Sequence, residues 1–328
     1  MDYKPILVVA GEPNSIFLEI FFKSIKKLNI KSPLILIASE KLVKLQMKEL
    51  KFNRKIKILN EKNFLNTTIN NKQINLIHVN YQSSQAFEDI SSKSNMYIKN
   101  CFKIAFKLIK KYNLKKFING PIVKKKLLNK KYLGITEYIS NKFNVQNSAM
   151  LIYNNKLSVC PITTHLPIKS VTKKINEKII FEKVKLLNEF YKVEFNIKPK
   201  IAVLGLNPHC ESIDKYNEDE KIIKPSIKKL QKLNFFINGP FSADTMFLKK
   251  NRKNYNVILG MYHDQVLTPI KTLFEYDAIN ITLGLPFIRI SPDHGPNEKM
   301  LGKNASNPLS LIRAIEFLDK NWLKQKKV

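Results

Sequence analysis

Apolar residues recur along the chain in two rhythms, and the rhythm alternates. Short runs of four to eight apolar residues read as buried strands: Ile6–Ala10, Leu34–Ala38, Ile56–Leu59 and Ile74–Val79. Between them lie stretches with apolar positions at helical spacing. Ile16–Leu28 is one, with Asn14 and Ser15 as candidate caps, and Lys41–Leu50 is another. A long helix is expected over about Ser91 to Lys111, with Met96, Ile98, Cys101, Ile104, Ala105 and Leu108 on one side. The strand Phe117–Ile118 then enters the turn Asn119-Gly120-Pro121. Strands alternating with helices predict a parallel sheet covered by helices, that is, an α/β fold.

The middle of the chain keeps the pattern. Thr136–Phe143 reads as a helix, and Ala149–Thr164 as a hairpin turning at Asn154-Asn155. Val171–Phe195 reads as a long basic helix and Ile201–Leu206 as a strand. Glu218–Leu233 reads as a helix with Pro225 as a possible interruption. Toward the end, Asn256–Asp264 is expected to be strand then loop. Ala278–Leu285 and Phe287–Ile290 are expected to be extended, and Pro308–Leu318 a closing helix packed on the first sheet. The string Phe-Ile-Asn-Gly-Pro occurs twice, at Phe117–Pro121 and Phe236–Pro240. Two five-residue matches are too few for a duplication, so they read as one turn solution used twice.

Composition narrows the class. The 328 residues, 44% hydrophobic and 25% charged, suit one large or two smaller globular α/β domains. No apolar run has membrane-spanning length, and the N-terminus carries no secretory pattern, so a cytoplasmic protein is expected. The net charge of +31 raises nucleic acid as a partner. All but four of the 57 basic residues are lysine, however, and they are scattered. Base and phosphate clamps favour arginine, so nucleic acid binding is the minor alternative. Cys101, Cys160 and Cys210 form no CxxC pair, in keeping with a reducing compartment. There is no GxGxxG, no P-loop and no GxSxG nucleophile elbow.

Three of the five histidines stand at the same kind of place. Leu157–Thr164 leads into His165, Ile201–Pro208 into His209, and Val257–Tyr262 into His263. In open α/β sheets, ligands bind outside the carboxyl ends of the strands. Any one of these histidines alone is more simply a surface loop residue. The shared placement is what points to a divalent metal with an open coordination position.

Five ordered strings then carry a resemblance. They are Thr163-Thr164-His165-Leu166-Pro167; Gly205-Leu206-Asn207-Pro208-His209; Asn238-Gly239-Pro240 with Ala243-Asp244-Thr245; Met261-Tyr262-His263-Asp264-Gln265; and Asn280–Arg289 with Asp293-His294-Gly295. Together they resemble the 4-hydroxythreonine-4-phosphate dehydrogenase (PdxA) family of vitamin B6 biosynthesis. The resemblance implies two α/β/α domains around a cleft, similar to isocitrate and isopropylmalate dehydrogenases. Residues 1–128 with 266–328 are expected to form the first domain. Residues 129–265 are expected to form the second, carrying metal ligands and dimer contacts.

The resemblance also implies a homodimer with a shared active site, NAD or NADP without the glycine fingerprint, and a divalent metal (zinc, cobalt, manganese or magnesium). The metal would be held by His165, His209 and His263, with His263 reaching the site of the neighbouring subunit; His294 is not a ligand in the family pattern. Thr136, Lys271, Asn280 and Arg289 are implied to bind substrate. Arg289 is apt, since a guanidinium grips phosphate through two parallel bonds. Asp244 and Asp264 are candidates for catalytic base or for orienting a metal histidine, with Lys124 assisting.

Three departures stand out. The family histidine before the substrate threonine is Ile135 here. Gly11-Glu12-Pro13-Asn14-Ser15-Ile16 lacks the family's glycine-rich turn, and Pro296-Asn297-Glu298 departs from its usual run. Ile135 gives weight to a related substrate, a threonate or erythronate 4-phosphate.

Overall fold

The structure, a computed structural model, describes residues 4–123, 132, 134–212, 216–292 and 294–319. It divides into two compact units, residues 1–139 with 286–328, and residues 140–285.

The first unit is built on six parallel strands: β1 (Ile6–Val9), β2 (Leu34–Ala38), β3 (Ile56–Ile58), β4 (Ile74–His78), β5 (Lys116–Asn119) and β12 (Ile288–Pro292). Their spatial order is β3-β4-β2-β1-β5-β12. β1 and β2 are buried along their whole length. Continuous apolar runs of that kind suit parallel strands covered on both faces. The helices are α1 (Phe17–Lys27), α2 (Glu40–Glu49), α3 (Ser94–Tyr112) and α10 (Leu309–Leu318). The last packs on β12 and on α1, as expected for the closing helix.

Helix α3 differs from expectation at its start. Met96 lies in the first turn and is 66% exposed, while the buried stripe runs through Tyr97, Ile98, Cys101, Phe102, Ala105 and Ile109. Neither Asn14 nor Ser15 caps α1 from the N-cap position, which is Ile16. Ser15 Oγ does accept a bond from the Phe17 amide at 3.3 Å.

The second unit has strands β6 (Ala149–Tyr153), β7 (Ser158–Thr163), β8 (Ile201–Leu204), β9 (Ile237–Phe241), β10 (Val257–Tyr262) and β11 (Ile279–Leu283). Their order is β11-β6-β7-β10-β8-β9. β7, β10, β8 and β9 run parallel, and β6 runs antiparallel to both β7 and β11. The chain passes between units within α4 (Ile135–Lys142) and again after Leu285.

The expected division at 128 and 265 therefore moves. Residues 266–285 belong to the second unit, because α9 (His263–Phe274) packs on β7 and β10 and β11 pairs with β6. α9 also replaces the expected loop after β10. Asp264 in its first turn complements the positive end of the helix.

Two long helices begin later or differently than their apolar spacing suggests. α5 starts at Glu177, where Asn176 Oδ1 caps the Ile179 amide at 3.0 Å. The residues before it form short 3₁₀ turns at Ile168–Ser170 and Thr172–Lys174. The helix at Asp219 opens as a π-helical segment to Ile223 and continues as α6 (Lys224–Lys232). Pro225 lies where the π-helical segment passes into α6, and the helix continues through it without a break.

Candidate metal and anion sites

β10 pairs in parallel with β7 on one side and β8 on the other. The carboxyl ends of these three strands therefore share one edge, and each expected histidine follows one of them. His165 lies two residues past β7, and His263 directly follows β10. His209 sits in a 3₁₀ turn, Pro208–Cys210, beyond β8. The rings of His165 and His263 are 5.9 Å apart, centroid to centroid, at 38°. His165 and His209 have φ of 51° and 54°, the left-handed region that histidine tolerates better than most side chains.

His263 Nδ1 lies 2.6 Å from Asp264 Oδ1. The carboxylate oxygen is placed to accept from an Nδ1–H, which would leave Nε2 for a ligand. That is how carboxylates orient histidine ligands. The donor set thus fits a divalent transition metal. Among the described residues of one chain, no three His, Cys, Asp or Glu side chains gather closely enough to hold it.

A cavity of about 510 Å³ opens beside His209 and is lined also by Cys210, Lys224, Ser242, Thr245 and Tyr255. Burial pushes the Cys210 thiol up, with the Asp219 charge adding to it. Asp244 lies exposed in the first turn of the short helix α7 (Ala243–Met246), which the equally short α8 (Lys249–Arg252) follows. Lys271 is half-buried in the last turn of α9. Asn280, on β11, has a buried Oδ1 with no hydrogen-bond partner among the described residues.

In the first unit, β12 carries Arg289, which is fully buried. Its Nε donates to Asn119 Oδ1 at 2.7 Å and its Nη1 to Thr136 Oγ1 at 3.2 Å. Burial lowers its pKa to about 10, against which the nearby Glu137 charge acts. The guanidinium stays charged at neutral pH. Two predicted substrate residues, Arg289 and Thr136, are therefore in direct contact. Lys124 lies outside the described residues. His294 belongs to the first unit, where its ring lies 6.3 Å from Phe17.

Several functional neighbours were not legible in the sequence. Asn119 read as part of a turn, yet its amide bridges Arg289 Nε and the Gly120 carbonyl, the latter at 2.8 Å. Asp219 and Gln265 hold the turns around His209 and His263. The only sequence signal for Gln265 was its place in the Met261–Gln265 string, and Asp219 had none.

A family model described as "Pyridoxal phosphate biosynthetic protein PdxA" matches residues 29–318. A protein of Sulfurihydrogenibium sp. (strain YO3AOP1) named 4-hydroxythreonine-4-phosphate dehydrogenase is 37% identical over 322 residues, covering 95% of this chain and 96% of its own. A protein of the same name from Bradyrhizobium diazoefficiens is 38% identical over 61% of this chain and 60% of its own length. The crystal structure of 4-hydroxythreonine-4-phosphate dehydrogenase from Klebsiella pneumoniae matches with a TM-score of 0.83 at 25% identity, over 97% of both chains. A terephthalate 1,2-cis-dihydrodiol dehydrogenase from Burkholderia xenovorans shares the fold, with a TM-score of 0.61 at 17% identity. With the family's ordered strings at the strand ends and its model matched over most of the length, the chain belongs to the PdxA family.

Proposed function

We propose that this chain is a 4-hydroxythreonine-4-phosphate dehydrogenase acting in vitamin B6 biosynthesis. In this reading it oxidises 4-phosphohydroxy-L-threonine to a β-keto acid, which loses carbon dioxide to give 3-amino-2-oxopropyl phosphate. The observation that carries the reading is the arrival of His165, His209 and His263 at the carboxyl ends of three neighbouring strands. His165, His209 and His263 would hold a divalent ion, which would supply Lewis acidity toward the substrate hydroxyl, and NAD or NADP would be the hydride acceptor.

The remaining work falls to the chain. Asp264 fixes the His263 ring through Nδ1. Arg289, held by Asn119 and Thr136, presents a rigid cation to the phosphate. Asn280, with its buried unpartnered oxygen, is suited to take a hydrogen bond from the substrate. Asp244 is left as the carboxylate to accept the hydroxyl proton, with Lys124 assisting. A second copy of the chain would complete the metal site, as the resemblance implies for His263. No described helix is long and apolar enough to cross a membrane, and the three cysteines are free and buried; we place the protein in the cytoplasm.

The test is His209→Ala. It should lose metal in equilibrium dialysis and lose NAD(P) reduction with 4-phosphohydroxythreonine, with the fold retained. Normal turnover by the metal-stripped variant would end the proposal. One observation favours a second reading: Ile135 starts the helix that presents Thr136 to Arg289, placing hydrocarbon where the family has a donor. A panel including threonate and erythronate 4-phosphates, with NAD and with NADP, decides between them.

A further inference from the structure

Asp219 is a carboxylate with no solvent exposure, and the mechanism above leaves it without a task. Burying a charge is costly unless it is hydrogen-bonded, so its partners indicate what the burial achieves. Oδ1 accepts from the Leu206 amide at 2.8 Å. Oδ2 accepts from the Asn207 amide at 3.1 Å and from Asn207 Nδ2 at 2.9 Å. Glu218 Oε2 takes a further bond from the same Nδ2 at 3.2 Å. Asp219 also opens the π-helical segment, whose positive end lowers the cost of the charge. Such segments recur at functional sites.

The gripped residues are the two that precede Pro208 and His209. Past them the chain takes φ of 54° at His209 and 62° at Cys210, so the imidazole's direction depends on how this turn is pinned. A Cβ on Gly205 would lie 2.6 Å from Cys210 Sγ and 2.7 Å from Asp219 Oδ1, so the carboxylate is packed directly against the strand end. A second link ties the same turn to β10. Gln265 Nε2 donates to the Gly205 carbonyl at 2.7 Å, and Gln265 Oε1 accepts from the Met261 amide at 2.7 Å. The brace thus runs from two residues before His263 to four residues before His209.

We propose that Asp219 is a positioning residue for His209, and that Gln265 locks the His209 turn to the start of the helix bearing His263. The proposal rests on the reading of these histidines as metal ligands. Such outer partners hold a ligand in the geometry the metal needs, and losing one typically costs about 10–100-fold in metal affinity.

The experiment is Zn²⁺ equilibrium dialysis of the full chain as Asp219→Asn, Gln265→Met and His209→Ala, beside thermal melts of each. Co²⁺ absorption spectra report ligand geometry independently of turnover. Asp219→Asn should weaken Zn²⁺ binding about 10–100-fold, and Gln265→Met should do so by a smaller factor, with altered Co²⁺ spectra in both. If Asp219→Asn does not fold, Gln265→Met, on a half-buried side chain, carries the test. Folded variants with wild-type Zn²⁺ affinity, beside a His209→Ala that has lost the metal, would overturn this proposal alone. A His209→Ala that keeps wild-type affinity would overturn the ligand reading, and this inference with it.

Discussion

Phe117–Pro121 and Phe236–Pro240 are the same five residues with two different fates. In the first string, β5 lies between β1 and β12, and Phe117, Ile118 and Asn119 are all buried. The Phe117 ring meets Phe102, Phe106 and Phe287 edge-on. Asn119 turns inward to the guanidinium of Arg289. In the second string, β9 is the edge strand of its sheet. Phe236 is 57% exposed, with Lys198 Nζ over its ring at 5.8 Å. Asn238 is exposed, and its Oδ1 accepts from Gln231 Nε2 at 3.4 Å. The expected shared turn does not hold: Gly239, with φ 139°, and Pro240, after a cis peptide, lie inside β9, whereas Gly120 follows the end of β5 and has no positive φ. Identical local chemistry thus holds a buried guanidinium in one place and forms a sheet edge in the other. The neighbours on either side of each strand make the difference.

The widest separation between the twins should appear at their phenylalanines. Phe117→Ala is expected to destabilise by about 3–5 kcal/mol, as for other buried aromatics. Phe236→Ala should stay within about 0.5 kcal/mol. Denaturant midpoints measure both, and similar losses would mean that β9 is covered by something outside this chain. The asparagines come next. Asn119→Ala removes a bond to a buried cation, about 1.5–3 kcal/mol, and should raise KM for the phosphorylated substrate while kcat changes less. Asn238→Ala should leave stability within about 0.5 kcal/mol and KM unchanged. An Asn119 variant with normal KM would separate the first string from the anion site.

The smallest effect concerns pH. Burial moves the Arg289 pKa down to about 10, so its charge is present below that value and lost above it. The Arg289 contribution to KM should therefore be flat between roughly pH 7 and 9 and fade only as pH rises past the shifted pKa. A KM profile corrected for substrate ionisation checks this. A step near neutrality would show that another group anchors the phosphate.

The three histidines were legible because each follows an apolar run, and the end of such a run is the end of a strand whatever the sheet order. That β7, β10 and β8 would be neighbours was not legible, since strand order depends on long-range pairing. Arg289 stood out by its rarity among lysines. Its burial, and its bond to a residue 170 positions away, did not. The loop expected after β10 became helix α9 because Asp264 and the following apolar spacing support a helix start there. Asp219 lay hidden in a run of polar residues, which reads as a solvated surface until the β8 turn is folded over it.

The sequence by itself determined the alternation of strands and helices, the α/β class, and the residue types able to bind a metal and a phosphate. Those properties follow from local periodicity and side-chain chemistry, which need no distant partner. Tertiary structure decided which strand ends share an edge, which Phe-Ile-Asn-Gly-Pro is core and which is rim, and where the brace from Asp219 and Gln265 closes. Each of these depends on contacts between segments far apart in the chain, and burial and hydrogen bonding take their values only once those segments meet.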